Sequence, residues 1–252
     1  MSGSRNDKGY HEWYRMLNEA GYRVVAIDYR LGLKGIKNAG MNPSFIKNLR
    51  RSIDLAVEDL FSATLFILEN SEELGIDPHN IVISGSSAGA MTALQAEWEI
   101  CNGRELASVL PEGFNYAGVM AFSGAIFSDE GSIKFKKKEP CPMMLCHGTA
   151  DNIVPYTLIQ AFNLCFAGTD PIAETLEKEN RNYNIYRFSD HGHDIAMAMP
   201  AIIGEELSFL ETNVTRGIRK NIDATVDDER MVIPAWAKAR FTALFKKSGS
   251  EQ

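Results

Sequence analysis

The chain has 252 residues, of which 45% are apolar and 23% are charged, and its formal net charge is −7. This is an ordinary globular composition with enough apolar residues for one sizeable core. The acidic balance argues against general affinity for nucleic acid or anionic membranes, and no apolar run reaches the roughly 18 residues of a membrane span. Four cysteines are spaced like neither a zinc site nor a redox pair and are interpreted as structural, namely Cys101, Cys141, Cys146 and Cys165.

Apolar runs of strand length alternate with amphipathic stretches of helix length. The predicted elements in chain order are helix 10–20, strand 22–28, helix 51–70, strand 81–84, a helix from Ser87, strands 116–122 and 141–146, helix 155–166, strand 183–188 and helix 200–212. A polar tail follows, with an amphipathic segment around 236–245 that fits a last helix. The alternation predicts a mostly parallel sheet with helices on both faces, which is a three-layer α/β/α sandwich. We expect one domain over 1–252, with residues 218–252 as a C-terminal extension.

A nucleophile motif follows the strand at 81–84. Residues 85–89 have the sequence Gly-Ser-Ser-Ala-Gly, the pattern G-x-S-x-G, directly before a predicted helix. A sharp strand-to-helix turn exposes the central hydroxyl, flanking glycines avoid clashes, and the helix N-terminus favours developing negative charge. Ser87 is therefore the predicted nucleophile, and Ser86, which lacks the flanking glycines, is the weaker candidate. The alternative is a Gly/Ser-rich loop that merely leads into a helix.

A candidate carboxylate follows the strand at 141–146. Residues 147–151 have the sequence His-Gly-Thr-Ala-Asp, so Asp151 lies just beyond the strand end. A serine hydroxyl needs a base to take its proton, and the base needs a carboxylate to fix its tautomer and stabilise its cation. Asp151 is the predicted carboxylate, and the alternative is a turn aspartate that caps the next helix. His147 precedes the turn and is interpreted as structural.

A candidate base follows the strand at 183–188, where residues 190–194 have the sequence Asp-His-Gly-His-Asp. His193 is preferred to His191 because the glycine before it lets the loop bring the imidazole close to the nucleophile. A metal site at these residues would need further ligands that cannot be placed, so no metal is predicted. The resulting order along the chain, serine then aspartate then histidine, is that of α/β-hydrolases and differs from the orders of chymotrypsin and subtilisin.

Several segments together match a family pattern. They are Ala26-Ile27-Asp28-Tyr29-Arg30-Leu31, the stretch from Asp59 to Asp77-Pro78, the motif at 85–89, Cys146 to Asp151 with Val154-Pro155, and Gly192-His193. With them the chain resembles the esterase/lipase branch of the α/β-hydrolases, near the carboxylesterases and the hormone-sensitive-lipase-like group, over roughly residues 3–212. It is also similar to hydrolases that gut bacteria use on acylated plant polysaccharides. The resemblance implies an α/β-hydrolase fold that cleaves carboxylic esters.

The front of the chain departs from this pattern. The family places a strand and a His-Gly-Gly segment before the first helix, and N–H groups of that segment hold the oxyanion together with the N–H of the residue after the nucleophile, here Ala88. This chain opens with Met-Ser-Gly-Ser-Arg, which resembles the end of that loop. The resemblance therefore implies a fold that lacks its first strands, including one between 22–28 and 81–84, and an incomplete N-terminus. Either a donor near Gly3 or one lost upstream completes the oxyanion hole, or another donor substitutes.

The expected function is ester hydrolysis through an acyl-enzyme on Ser87, with His193 as base and Asp151 as its orienting carboxylate. The segment 126–140 between two strands is expected to form a lid or an acyl-pocket loop. Because it is too short for a large lipase cap, short-chain or sugar-linked acyl esters are expected. The alternatives are a peptidase or thioesterase on the same fold, or a non-catalytic protein that binds an acyl ligand. The expected partner is a small-molecule ester, with no cofactor and no nucleic acid. Oligomeric state and compartment, whether cytoplasmic, periplasmic or secreted, are left open.

Overall fold

A computed structural model of the chain describes residues 5–6, 8–34, 42–228 and 231. The helices of this part are α1 (Lys8–Glu19), α2 (Pro43–Glu69), α3 (Ser71–Leu74), α4 (Ala88–Asn102), α5 (Thr169–Lys178) and α6 (Ile203–Phe209). The strands are β1 (Val82–Ser86), β2 (Gly118–Phe122), β3 (Ala125–Ser128), β4 (Met143–Gly148), β5 (Leu158–Ala161), β6 (Leu164–Gly168), β7 (Tyr183–Phe188) and β8 (Ile222–Val226). None of the described helices is long and apolar enough to cross a membrane.

The main sheet has the strand order β1-β2-β4-β7-β8, and every neighbouring pair is parallel. All residues of β2 and β4 are buried, which explains why the sequence shows them as unbroken apolar runs rather than as alternating ones. Parallel strands point their carboxyl ends to one edge of the sheet. The segments that follow β1, β4 and β7 therefore meet at that edge.

Each face of this sheet has its own core. Alternate residues of the central strands, such as Val119 and Leu145, join one apolar cluster with α2, α4 and α5. Their neighbours, such as Phe122 and Met144, join a second cluster with α1 and α6. Side chains alternate across a strand, so a sheet that buries both sets must be covered on both faces. The predicted three-layer α/β/α sandwich is confirmed.

The helix predicted at 155–166 is wrong. Residues in that range form β5 and the start of β6, an antiparallel hairpin whose last pair joins Ala161 to Leu164. β6 also pairs with β3, which completes a separate three-stranded antiparallel sheet. A short apolar run fits the period of a helix as well as that of a strand. In the structure a two-residue turn at Phe162 and Asn163 reverses the chain, so the segment forms a hairpin and not a helix.

The strand predicted at 22–28 is also wrong, although the composition of the segment is that of a strand. Val25 is 50% exposed, and in the described part of the chain no amide of residues 23–29 donates to another backbone group. β1 is the edge strand of the sheet, and a cavity of about 1410 Å³ is lined by residues 80–86 of β1 and its approach and by the 22–29 segment. A segment with the composition of a strand forms one only when another strand pairs with it. Among the described residues, the cavity separates the 22–29 segment from β1. The family-based expectation of a further strand in this space stays a prediction.

Two other element boundaries differ from the predictions. α2 begins at Pro43, about two turns before the predicted start at 51. Asn42 caps it by accepting the N–H of Phe45 at 2.9 Å, and proline suits the first helical turn. The predicted C-terminal extension at 218–252 contains β8, which joins the main sheet beside β7. The helix predicted around 236–245 lies outside the described residues, as does Gly3.

Candidate active site

The nucleophile motif forms a tight turn between β1 and α4. Ser87 takes φ 51° and ψ −117°, a left-handed conformation that costs free energy for a residue with a side chain. Position 85, two residues before Ser87, has room only for glycine, because a Cβ on Gly85 would lie 2.3 Å from the carbonyl carbon of Gly89. The N–H of Ser87 donates to the carbonyl of Phe122 at 2.8 Å, which ties the turn to β2.

The N-terminus of α4 lies directly under Ser87. Ala88 is the first residue of the helix, and the first four N–H groups of a helix have no partner within it. No acidic side chain occupies the first turn. The Ala88 N–H and the helix dipole are therefore available to an anion that forms beside Ser87.

Ser87, His193 and Asp151 form one hydrogen-bonded line. Ser87 Oγ lies 2.7 Å from His193 Nε2, and His193 Nδ1 lies 2.7 Å from Asp151 Oδ2. Each side chain follows a different strand of the parallel sheet, namely β1, β7 and β4. His193 and Asp151 are 8% and 6% exposed, so bulk water has little access to the hydrogen bond between them.

Asp151 is held in its ionised form. Its Oδ1 accepts the backbone N–H groups of Ile153 at 2.8 Å and Val154 at 3.1 Å, and His147 Nε2 lies 3.2 Å from its Oδ2. Burial by itself raises the pKa of this carboxyl, but the hydrogen bonds with His147 and His193 outweigh it and lower the pKa to about 2. A carboxylate with so low a pKa is charged at neutral pH.

The weaker candidates for these roles lie elsewhere. His191 Nδ1 is 2.5 Å from Asp194 Oδ2, and Asp194 Oδ1 accepts the N–H of Gly192 at 2.9 Å, so this pair fixes the loop that carries His193. His147 is fully buried and contacts the same carboxylate without reaching Ser87. Ser86 Oγ is 2.5 Å from the hydroxyl of Tyr10. No sequence pattern singled out Tyr10, because nothing in the predicted helix at 10–20 indicated where that helix would dock.

The large cavity described above opens onto this line of residues. Its wall includes Ser87, Ala88 and His193 together with apolar and aromatic side chains of α1 and of the 22–29 segment. None of residues 126–140, expected to form a lid or an acyl-pocket loop, belongs to that wall. The start of this segment pairs with β6, and its Glu130 forms an ion pair with Arg104 at 2.6 Å. Over the described residues, no cluster of three or more His, Cys, Asp or Glu side chains is arranged to bind a metal.

Solved structures that the chain resembles include several hydrolases. One is an α/β hydrolase enzyme from a Medee basin deep-sea metagenome library, with 16% identity, 61% of this chain and 64% of that chain covered, and a TM-score of 0.41. Another is a truncated form of a carbohydrate esterase from gut microbiota, with 16% identity, coverage of 78% and 75%, and a TM-score of 0.49. A third is a thermophilic esterase from the Planctomycetes species Thermogutta terrifontis, with 21% identity, coverage of 65% and 67%, and a TM-score of 0.45. The chain thus spans 64% of the length of the first of these structures.

No curated protein matches the sequence. A family model does: that of the phospholipases/carboxylesterases matches residues 45–209, well over half of the chain. The matched range runs from α2 to α6 and includes the motif at 85–89, Asp151 and His193. The hormone-sensitive-lipase-like branch and the incomplete front stay predictions. The chain belongs to the phospholipase/carboxylesterase family of α/β-hydrolases, a family of carboxylic ester hydrolases.

Proposed function

We propose that this chain is a serine esterase in which Ser87 is the nucleophile, His193 the general base and Asp151 the carboxylate that orients the base. The observation that carries the proposal is the unbroken line of hydrogen bonds, 2.7 Å on each side of the imidazole. A base within 2.6–3.2 Å of the proton it removes meets the geometric requirement for general-base catalysis. The strained conformation of Ser87 at a helix N-terminus is typical of an activated nucleophile on this fold.

In the proposed reaction His193 carries one proton in each of two steps, from Ser87 to the leaving alcohol and then from water back to Ser87. As Ser87 Oγ attacks the ester carbonyl, its proton passes to His193 Nε2, and the cation that forms is stabilised by ionised Asp151. His193 then gives the proton to the leaving alcohol, which departs and leaves an acyl-enzyme. A water molecule, deprotonated by the same nitrogen, releases the acid and restores Ser87.

The oxyanion of the tetrahedral intermediate lies next to Ala88 in this proposal. The Ala88 N–H is one donor, and the positive end of the α4 dipole adds to its effect. Gly3, the second donor expected from the family resemblance, is outside the described residues.

We propose short-chain or sugar-linked acyl esters as substrates. The cavity wall carries polar groups besides its apolar ones, including the hydroxyl of Tyr29 and the ion pair of Arg5 with Asp28 at 3.0 Å. Such groups suit an alcohol that is itself rich in hydroxyls. The cavity exceeds the roughly 300–1000 Å³ of a typical small-molecule pocket, so selectivity for short acyl chains has to come from contacts close to Ser87.

The first experiment compares hydrolysis of p-nitrophenyl acetate, butyrate and decanoate, and of acetylated xylose, by the parent chain and its variants. We expect Ser87→Ala and His193→Gln to lower kcat by about 10⁴-fold or more. Ser62→Ala, which removes an exposed hydroxyl of α2, should keep most of the activity. His191→Gln, which weakens the pair that fixes the loop of His193, should lose much less activity than His193→Gln. Circular dichroism of each variant separates lost chemistry from lost folding.

Three outcomes distinguish the alternatives. A parent that is labelled at Ser87 by a fluorophosphonate but prefers thioesters or peptides to oxygen esters is a thioesterase or peptidase. A folded parent that neither turns over esters nor reacts with the fluorophosphonate has no activated serine and is a binding protein, which refutes the proposal. Equal losses in His191→Gln and His193→Gln would contradict the assignment of the base.

A further inference from the structure

The proposed oxyanion hole needs a second donor. Such holes use at least two hydrogen-bond donors, and loss of one lowers turnover by about 10²–10³-fold. The N–H of Ala88 is one. The N–H of Ser87 is already bonded to the carbonyl of Phe122 at 2.8 Å and is not free to serve. A group on another element therefore has to approach the nucleophile.

Two hydroxyl groups form a pair beside the nucleophile. The hydroxyl of Tyr10, on α1, lies 2.5 Å from the Oγ of Ser86, the residue before Ser87. Both Tyr10 and Ser86 line the cavity whose wall includes Ser87, Ala88 and His193. The pair therefore faces the same cavity as the nucleophile, and Ser86 is next to Ser87 in the chain.

A count of protons shows that the pair has a donor to spare. Each hydroxyl carries one proton and can also accept, so the single hydrogen bond between Tyr10 and Ser86 uses one of two protons. Neither hydroxyl has another hydrogen-bond partner among the described residues. One O–H group is consequently left for whatever molecule occupies the cavity.

The phenol is the better of the two donors. A phenolic hydroxyl is far more acidic than an aliphatic one, so it binds a developing negative charge more strongly. When Ser86 donates to the oxygen of Tyr10, it polarises the phenol and strengthens the bond that the phenol itself donates. This direction leaves the tyrosine proton free.

The helix that carries Tyr10 shares a support with the nucleophile. Trp13, one turn further on α1, donates from Nε1 to buried Glu206 Oε2 at 2.6 Å. Its ring packs edge-on against Phe122, at 6.3 Å between centroids and 77° between planes. Phe122 is also the residue whose carbonyl anchors Ser87. Phe122 thus supports both the helix that carries the phenol and the turn that carries the nucleophile, and such fixed positions are what electrostatic preorganisation requires.

We propose that Tyr10 is a catalytic residue whose hydroxyl is the second oxyanion donor, and that Ser86 is a positioning residue that holds this hydroxyl in place. The inference rests on the proposed serine-esterase function. In this arrangement the donor opposite Ala88 is a side chain of α1, in place of the backbone groups that the family resemblance expects at the front of the chain.

The test compares Tyr10→Phe, Ser86→Ala and the double variant, with Tyr183→Phe as control. Tyr183 is a buried tyrosine of β7 and does not belong to the wall of the cavity. The measurements are kcat and KM on p-nitrophenyl acetate, and the dissociation constant of butylboronic acid by calorimetry. The boronate forms a tetrahedral adduct on a serine oxygen, so its affinity reports oxyanion stabilisation without turnover.

Tyr10→Phe should lower kcat and boronate affinity by about 100-fold each while KM stays within about twofold, because only the transition state loses a bond. Ser86→Ala, which keeps the phenol but frees it, should lose about tenfold. The double variant should match Tyr10→Phe, since the pair acts as one unit. Tyr183→Phe should resemble the parent in every measurement.

Separate results contradict separate parts of the argument. If the parent is active and Tyr10→Phe keeps kcat and boronate affinity within about threefold, the inference is wrong and the esterase proposal stands. Equal losses in Tyr10→Phe and Ser86→Ala would make Tyr10 a structural partner of Ser86. Should Tyr10→Phe fail to fold, an unchanged boronate affinity in Ser86→Ala would still contradict the pair. A parent that neither hydrolyses esters nor binds the boronate overturns both proposals.

Discussion

Among single residues, Glu206 is a carboxyl group in an apolar setting. It is fully buried, its Oε2 accepts from Trp13 Nε1 at 2.6 Å, and its Oε1 has no partner in the described part of the chain. Burial raises its pKa to about 8, with a smaller contribution from the negative charge of Glu205 and opposed by the Trp13 hydrogen bond. At neutral pH the carboxyl is therefore mostly protonated, and a neutral acid connects α6 to α1.

This pKa makes stability depend on pH with a definite sign. In the unfolded chain Glu206 ionises near its ordinary value of 4.5, whereas in the folded chain it keeps its proton up to about 8. Between these values the unfolded state has released a proton that the folded state still holds, so the free energy of unfolding falls as pH rises and levels off above about 8. Glu206→Gln, which keeps an acceptor for Trp13, should remove this slope. Urea unfolding at several pH values checks it.

The gain from Glu206→Gln relative to the parent should grow from pH 5 to pH 8.5 by on the order of 3 kcal/mol. The extra N–H of the glutamine amide changes the free energy of unfolding by the same amount at every pH, so it does not affect this pH dependence. Glu205→Gln, which neutralises the exposed neighbour, should leave most of the slope in place. Parallel stability curves for the parent and Glu206→Gln would show that the buried carboxyl does not titrate in this range.

Ser87, Asp151 and His193 could be predicted from sequence because a rule of topology connects them. Each follows a strand of a parallel sheet, and such strand ends meet at one edge whatever the loop lengths between them. Tyr10 obeys no such rule, since its contact with Ser86 depends on how α1 packs against β2. Glu206 likewise shows as one more glutamate of an amphipathic helix. Its burial follows only from packing beside Trp13.

Among the elements, the β5–β6 hairpin carries an unfavourable residue at its turn. Ala161 pairs with Leu164, so Phe162 and Asn163 form a two-residue loop. Phe162 has φ 54°, its side chain is 98% exposed, and Asn163 is absent from the positive-φ residues. This is the pattern of a type II′ turn, which favours glycine at its first central position. A left-handed conformation costs a residue with a Cβ about 1–2 kcal/mol.

Phe162→Gly should therefore stabilise the protein. Relief of the backbone strain exceeds the extra entropy that glycine has in the unfolded chain, and we expect a net gain of about 0.5–1 kcal/mol, or roughly 2 °C in Tm. Phe162→Ala is the matched control, because it removes the exposed ring but keeps the strained φ. If Phe162→Ala raises Tm as much as Phe162→Gly in thermal unfolding, the effect comes from the ring and the turn is not strained.

The same hairpin shows why this element could not be predicted. Type II′ turns are recognised in a sequence by glycine, and Phe-Asn gives no such signal. Without it, the apolar residues of 155–166 fit a helical spacing equally well. The helix at α2 was predictable over 51–69 because its apolar spacing is long, although its start at Pro43 was missed. The helix at α4 was predictable because the nucleophile motif precedes it. A short element can be predicted only when a residue such as a turn glycine marks its end, and the Phe-Asn turn has no such residue.

At the scale of the whole molecule, the sheet has two unlike edges. Among the described strands, β8 lies at one edge beside β7, and β1 lies at the other edge and faces the cavity that the 22–29 segment bounds on its far side. The alternation of strands and helices predicted the three layers, because both faces of a parallel sheet must be covered. It could not predict an unpaired segment, since Val24 to Ile27 have the composition of a strand whether or not a neighbour is present.

Hydrogen exchange measures the consequence of that unpaired edge. The amides of residues 23–29 have no backbone acceptor in the described chain, whereas those of β4 are bonded between two strands. Residues 23–29 should exchange faster than 143–148 by a factor of about a thousand or more, with β8, paired on one side, in between. Protection of 23–29 equal to that of β4 would mean that a strand pairs with this segment in solution. In that case the 1410 Å³ space is filled by backbone, and the substrate has to bind in what remains near Ser87.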